Sequence, residues 1–389
     1  MAAKQAPRWQ GRFPSRRANP VPRGVQGQES HICSRRFLFT RKSSPLPLFS
    51  EATNCQLLLR LCQRCSRTQP TTSRGSPRMM DQKPPSPTDC DHVPSLSPAT
   101  YSDSIDVHCH PTDTPDSLNV IPTLRTQRLL VMGTREEDWP LVAGAAEKWP
   151  EKVIPCFGLH PWFAHHCPAP PSASEGSTHP PWLQTLTVQL ESHPTALVGE
   201  IGIDGIAKDR TTDARYPFEH QLVIFRAQLQ LAARMRRSVS MHTVRCHGHL
   251  VDVLREMLAS GGGDGAEDDP LPPRLKHHSY SGSTETTRAL LSLRSPHRGR
   301  KRASLPTPGS RMYFSFSAGV NGRSPKAMER IRAVPDDRVL LESDTHDARI
   351  VDAAMEDACR LVAAAKGWTI EETAETTGRN ARRFLGEEG

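Results

Sequence analysis

Short apolar runs recur along the chain from about residue 103 onward, each bounded by polar or turn-forming residues. Eight have the length and β-branched content of strands: Ser104–His108, Arg128–Gly133, Val153–Gly158, Ala196–Glu200, Ser238–His242, Leu275–His278, Met312–Ser317 and Val339–Ser343. Between them the period lengthens. Glu136–Trp149, Pro217–Arg236, Val244–Leu258 and Val351–Lys366 read as amphipathic helices. In the second of these, Leu222, Phe225, Leu229 and Ala232 recur at helical spacing and form a core-facing stripe. Eight strands alternating with helices over about 285 residues predict a (β/α)8 TIM barrel. The alternative, a doubly wound sheet, is weakened because no glycine fingerprint follows the first run.

The first hundred residues lack this pattern. Arg, Ser, Pro and Gln dominate, and Lys83-Pro84-Pro85-Ser86-Pro87 interrupts any helix or ladder, so 1–100 is expected to be a disordered tail ahead of a folded domain at 101–389. The charge divides the same way. Residues 1–90 carry 16 Lys and Arg against 4 Asp and Glu, so the net +8 resolves into about +12 there and −4 in the remainder. The high isoelectric point therefore belongs to the tail and does not give the folded part a basic, nucleic-acid-binding surface. No run is long and apolar enough to span a membrane, which excludes a membrane partner. The Arg-rich start resembles a mitochondrial transit peptide, but Pro7, Pro14 and Pro20 spoil its amphipathic helix; a cytoplasmic or nuclear location is expected, with a mitochondrial one as the alternative. Ten scattered cysteines form no disulfide framework, and Cys62-x-x-Cys65 has no second pair at finger spacing.

The candidate chemistry gathers where the apolar runs stop. On a strand, His108 and His110 share a face with Cys109 turned away, and two imidazoles side by side make half of a metal site. His160 follows the third run, while Glu200, His242 and His278 end the fourth, fifth and sixth, and Asp344 follows the eighth. A barrel carries its catalytic groups at the C-terminal ends of its strands. A random scatter of polar residues would not select those ends so consistently. His160 is expected to touch substrate from the catalytic mouth. Ser281 and Gly282, after the sixth run, are candidates to present backbone N–H groups to an anion, although a simple turn explains them nearly as well. Asp204 is expected to fix the loop after Glu200, and His247, His249 and His277 to be ordinary.

Read in order, DVHCH (106–110), FGLHPW (157–162), VGEIGID (198–204), SMHTVR (240–245), HSYSGS (278–283), YFSFSAG (313–319) and LLESDTH (340–346) resemble the motifs of the TatD family of metal-dependent deoxyribonucleases, and NARRFLG (380–386) its C-terminal signature. The resemblance spans 103–386. It implies that His108, His110 and Asp344 hold one divalent ion and His242 and His278 a second, with Glu200 bridging. Such ions, roughly 3.5–4 Å apart, would activate water for attack on a DNA phosphodiester, with Asp344 as general base. Magnesium is the family's usual ion, whereas four imidazoles suit zinc or manganese, so the metal stays open. No lysine occurs in Ala196–Ile206, which argues against the related barrels that bridge their metals with a carboxylated lysine.

Glu219-His220-Gln221 and SMHTVRCHG look like the fungal branch of the family, some of whose members bind a subunit of the anaphase-promoting complex. A protein partner in a cell-cycle complex is thus an alternative to, or an addition to, DNA; another alternative is hydrolysis of a different ester or C–N bond on the same fold. A monomer is expected. The chain departs from the family at His346, where proline is usual, and in apparent inserts at Phe163–Pro181, Gly261–Pro273 and Arg294–Ser310. Of these only the first follows a strand and lies at the catalytic mouth.

Overall fold

The structure is a computed structural model that describes residues 104–170, 179–209, 211–260, 269–296 and 307–387. The tail at 1–100, with Cys62 and Cys65, lies outside the described residues, as do 171–178, 261–268 and the basic stretch 297–306 within the three inserts.

The eight strands are β1 (Ile105–Cys109), β2 (Arg128–Met132), β3 (Val153–Phe157), β4 (Leu197–Asp204), β5 (Val239–Val244), β6 (Leu275–His277), β7 (Met312–Phe316) and β8 (Val339–Leu341). They pair in chain order, all parallel, as one sheet. Beyond β8, the Asp344 N–H donates to the His108 carbonyl at 3.0 Å and the His110 N–H to the Thr345 carbonyl at 2.8 Å, which brings the last strand back to the first. The result is the predicted TIM barrel. Its helices are α1 (Trp139–Lys148), α2 (Pro181–Ser192), α3 (Phe218–Arg234), α4 (His247–Ser260), α5 (Thr284–Leu291), α6 (Ala318–Asn321), α7 (Ala327–Ala333), α8 (Val351–Lys366) and α9 (Ile370–Leu385). None among the described residues is long and apolar enough to cross a membrane.

Parallel strands covered by helices are buried on both faces, which explains why the runs read as nearly continuous apolar segments. Leu129, Val131, Ile201, Met241 and Phe314 face outward onto Trp139, Leu186, Phe225, Leu254 and Val362 of the helix layer. Inside the barrel, Ile105, Val107, Leu130, Ile154, Leu197, Tyr313 and Leu340 pack on Ala381 and Phe384 of α9. That helix starts in a Thr369/Glu372 capping box and stops at Gly386, whose φ of 86° is left-handed. It fills the N-terminal mouth and leaves the C-terminal mouth for chemistry.

Two strands run further than the sequence predicts. β4 and β5 continue past Glu200 and His242 through the pairs Ile201↔Met241, Gly202↔His242, Ile203↔Thr243 and Asp204↔Val244. Glu200 and His242 therefore sit within strands rather than at their ends, and α4 begins at His247, not Val244. Ile201 and Ile203 supply the buried outward positions that sustain this pairing. Gly202 permits it, because a Cβ there would lie 2.0 Å from the His242 carbonyl oxygen.

Candidate metal centre

Each polar group at the upper mouth is aimed by its strand. The register of β1 against β2 shifts between Asp106 and Cys109, a bulge that turns His108 and His110 together into the barrel. Glu200 projects from β4, His242 from β5, and His278 from the residue after β6.

Glu200 is the hub. Its Oε2 lies 3.4 Å from His108 Nε2 and 3.3 Å from His110 Nε2. Its Oε1 lies 2.7 Å from His278 Nε2, 3.0 Å from His242 Nδ1 and 3.3 Å from His160 Nε2. Asp344 Oδ1 closes the other side, 3.8 Å from His108 Nε2 and 3.7 Å from His110 Nε2. Asp344 sits at φ 51° and Ser279 at φ 38°, the left-handed region that non-glycine residues rarely adopt. The Ser279 hydroxyl shares its one proton between two carboxylates, Glu342 Oε1 at 2.7 Å and Asp344 Oδ2 at 3.0 Å.

Five imidazoles offer more nitrogen than two carboxylate oxygens can engage. The ring nitrogens of His108 and His110 approach to 3.1 Å, and those of His242 and His278 to 3.0 Å. Two nitrogens each about 2.1 Å from one ion subtend roughly 95° at such a separation, an ordinary angle between neighbouring ligands. His108, His110 and Glu200 form one such donor group, and His160, Glu200 and His242 another. The donors fit divalent cations.

The second ring nitrogens face further polar groups, but only His108 is hydrogen-bonded there; His242 Nε2 and His278 Nδ1 make no hydrogen bond among the described residues. His108 Nδ1 lies 3.0 Å from Ser240 Oγ, His242 Nε2 3.5 Å from Asp204 Oδ2, and His278 Nδ1 3.8 Å from Glu342 Oε1. Electrostatics follow the geometry. Burial would push the Glu200 carboxyl up, but the imidazoles of His278, His160 and His108 overcome it and hold it well below the carboxylate range. Burial would likewise lower His278, yet Glu200 and Glu342 beside it push it up to about 10. For His108, burial and the charges of His278 and Lys276 win, and its pKa falls well below the usual value. Burial also drops His160 to about 4. Without metal, the carboxylates favour the charged form of His278 and, against burial, raise His110 and His242 as well, whereas burial favours the neutral form of His108 and His160.

The family model for the TatD related DNase matches residues 105–386. The chain belongs to the TatD family. Among curated TatD relatives, it is 31% identical to the Cut9-interacting protein scn1 of Schizosaccharomyces pombe, over 72% of this chain and 98% of that one. It is 25% identical to an uncharacterized deoxyribonuclease of Saccharomyces cerevisiae, over 62% of this chain and 82% of the relative. Of solved structures, the TatD homolog YJJV from Escherichia coli shares 20% identity, with a TM-score of 0.52 over 72% of this chain and 97% of that one. That likeness supports the TIM barrel alone; the family match marks the chain as a nuclease-type hydrolase with donors for metal.

Within this TatD barrel the remaining predicted residues fall in different places. The structure brings His108, His110, Glu200, His242, His278, Asp344 and His160 together. Ser281 instead faces His247 Nε2 at 3.4 Å, and that ring stacks on His277 in the helix layer. Gly282 is buried where a Cβ would meet the Tyr280 hydroxyl at 2.4 Å. Asp204 does fix its loop, accepting the Ile206 N–H at 3.0 Å, and also accepts the Trp162 indole N–H at 2.8 Å beside His242. His346, in the place of the family's proline, bonds Asp113 at 2.7 Å and stacks on His110.

Sequence reasoning missed Glu342, Lys276 and Asp106, all fully buried. Glu342 accepts the Ser279 N–H at 2.6 Å, and Lys276 reaches the Val107 carbonyl and, at 3.4 Å, His108 Nδ1. Asp106 accepts the Ser343 hydroxyl at 2.5 Å, and burial lifts its carboxyl to about 6 against that bond. The available signal was a charged residue inside an otherwise apolar run.

Proposed function

We propose that this chain is a divalent-metal-dependent phosphodiesterase acting on nucleic acid, with DNA as its substrate. One observation carries the reading: five imidazoles converge on the buried Glu200 carboxylate at the catalytic mouth of a TatD barrel, with the Asp344 carboxylate against two of them. In this reading two ions are held, one by His108, His110 and Asp344 and one by His242 and His278, with Glu200 shared. Bound cations supply neutralisation of phosphodiester charge and acidification of the attacking water.

The chain's own groups do the rest. Asp344 accepts the proton of that water, and its Oδ2 is steadied by the Ser279 hydroxyl so that Oδ1 stays turned into the mouth. Trp162 donates its backbone N–H to His160 Nδ1 at 3.2 Å, which leaves the proton of the neutral ring on Nε2. In this reading His160 is not an ion ligand: its Nε2–H, 3.3 Å from Glu200 Oε1, is the donor that would meet a phosphoryl oxygen.

The test is hydrolysis of labelled single-stranded DNA by the purified protein with added manganese, zinc or magnesium, and after chelation. Activity should need metal and fall roughly 10²–10⁴-fold in Asp344→Asn. Metal-independent activity, or full activity in that variant, counts against the reading. A second role, binding of a protein partner, is suggested by the name of the 31% identical relative, a Cut9-interacting protein. A pure scaffold has no physical need to keep buried donors converged, so catalysis is favoured.

A further inference from the structure

Trp162 is out of character for its neighbourhood. Trp139 and Trp182 are 1% exposed, whereas Trp162 leaves 43% of its surface in solvent at the end of β3. An exposed indole on a loose loop would be unremarkable, but this one is held at three points. Its ring N–H donates to Asp204 Oδ2 at 2.8 Å, and the same carboxylate oxygen faces His242 Nε2 at 3.5 Å. Its backbone N–H donates to His160 Nδ1. Its ring centre lies 5.0 Å from that of His160 and 6.4 Å from that of His242. An aromatic surface is thus fixed to two imidazoles of the metal centre while kept in contact with water, where it gains nothing from burial. Beside it, Arg135 stacks over Phe163 at 4.7 Å and brings positive charge to the same rim.

We propose that Trp162 is the stacking platform for an unpaired nucleobase next to the scissile phosphodiester and so the residue that sets how strongly the site holds its substrate. Every base has a π-face, and an aromatic ring accepts it whatever its sequence. In a duplex that face is already covered by the neighbouring pair, so a base must be unstacked before Trp162 can take it. Asp204 is a positioning residue here: one oxygen aligns the platform with His242. The inference rests on the nuclease reading and names the residue that holds the base beside the reacting phosphodiester.

The test compares wild type, Trp162→Phe and Trp162→Ala on a single-stranded oligonucleotide and on a chain of equal length built from abasic residues. Wild type should prefer the base-bearing strand by about 10- to 100-fold in kcat/KM, chiefly through KM. Trp162→Ala should lose that preference yet match wild type on the abasic chain, with unchanged metal content and melting temperature; Trp162→Phe should keep part of it. Single-stranded DNA should also quench tryptophan emission in wild type and much less in Trp162→Phe. An equal loss on both substrates in Trp162→Ala would make the indole a packing element and overturn the inference alone. Absence of chelator-sensitive hydrolysis in wild type would remove the nuclease reading itself.

Discussion

Replacing Glu200 by Gln keeps the shape of the hub and removes its charge, so it isolates what the carboxylate does. Glu200 is 2% exposed and meets five imidazole nitrogens within 2.7–3.4 Å. Deleting one partner of a buried charged cluster costs about 3–5 kcal/mol, because the others keep their desolvation without its compensation. Relief of Glu200's own burial offsets part of this, which leaves about 3 kcal/mol in the metal-free protein and a melting temperature lowered by roughly 5–10 °C. The sign with pH follows from His278. Its folded pKa of about 10 exceeds the ordinary 6.5, so its contribution is fully present below pH 6.5 and lost as the pH climbs through about 10. Metal-free wild type should therefore weaken across that alkaline window, and Glu200→Gln should weaken less because it starts without the attraction. Saturating manganese or zinc should raise the wild-type melt and do little for the variant. Differential scanning calorimetry at pH 6, 8 and 10, with and without metal, reads all of this. A variant that melts like wild type and gains equally from metal would refute the hub assignment.

Asp344→Asn should retain part of its metal by elemental analysis while losing turnover, since an amide oxygen still coordinates weakly but accepts no proton. Metal uptake near pH 7.5 should release at least one proton, because the metal displaces the one that Glu200 and Glu342 hold on His278; titration calorimetry in buffers of different ionisation enthalpy measures it, and no release would mean that His278 does not carry that proton. Asp204→Ala should lower metal affinity about 10- to 100-fold by freeing His242 Nε2, as read by competition with a chromophoric chelator. Deleting residues 1–95 should leave one cooperative thermal transition, because the tail's Arg-, Ser- and Pro-rich composition buries too little apolar surface to offset its chain entropy.

Much of this was legible because a parallel barrel writes itself plainly. Strands such as Arg128–Met132 and Met312–Phe316 are buried on both faces, so they appear as unbroken apolar runs between amphipathic helices. The residues at the mouth were equally visible, since His108, His110 and His278 have little reason to end such runs unless something receives them. What stayed hidden depends on pairing across the barrel. Nothing local shows that Lys276 reaches the Val107 carbonyl, or that Glu342 rather than a neighbouring residue lies behind His278. Ser281 was misleading in the same way. Its position after β6 suggested the mouth, yet the turn sends its hydroxyl toward His247 in the helix layer. Trp162 went unnoticed because a sequence does not report which aromatic remains in water.

Everything proposed for the mouth requires the Glu200 cluster to hold the metal. Anomalous diffraction from crystals of the protein soaked in manganese tests it most directly. One peak is expected among His108, His110, Glu200 and Asp344 and a second among His242, His278 and Glu200, both lost in Glu200→Gln. Manganese bound elsewhere with this cluster empty would contradict it, as would peaks unchanged in the variant.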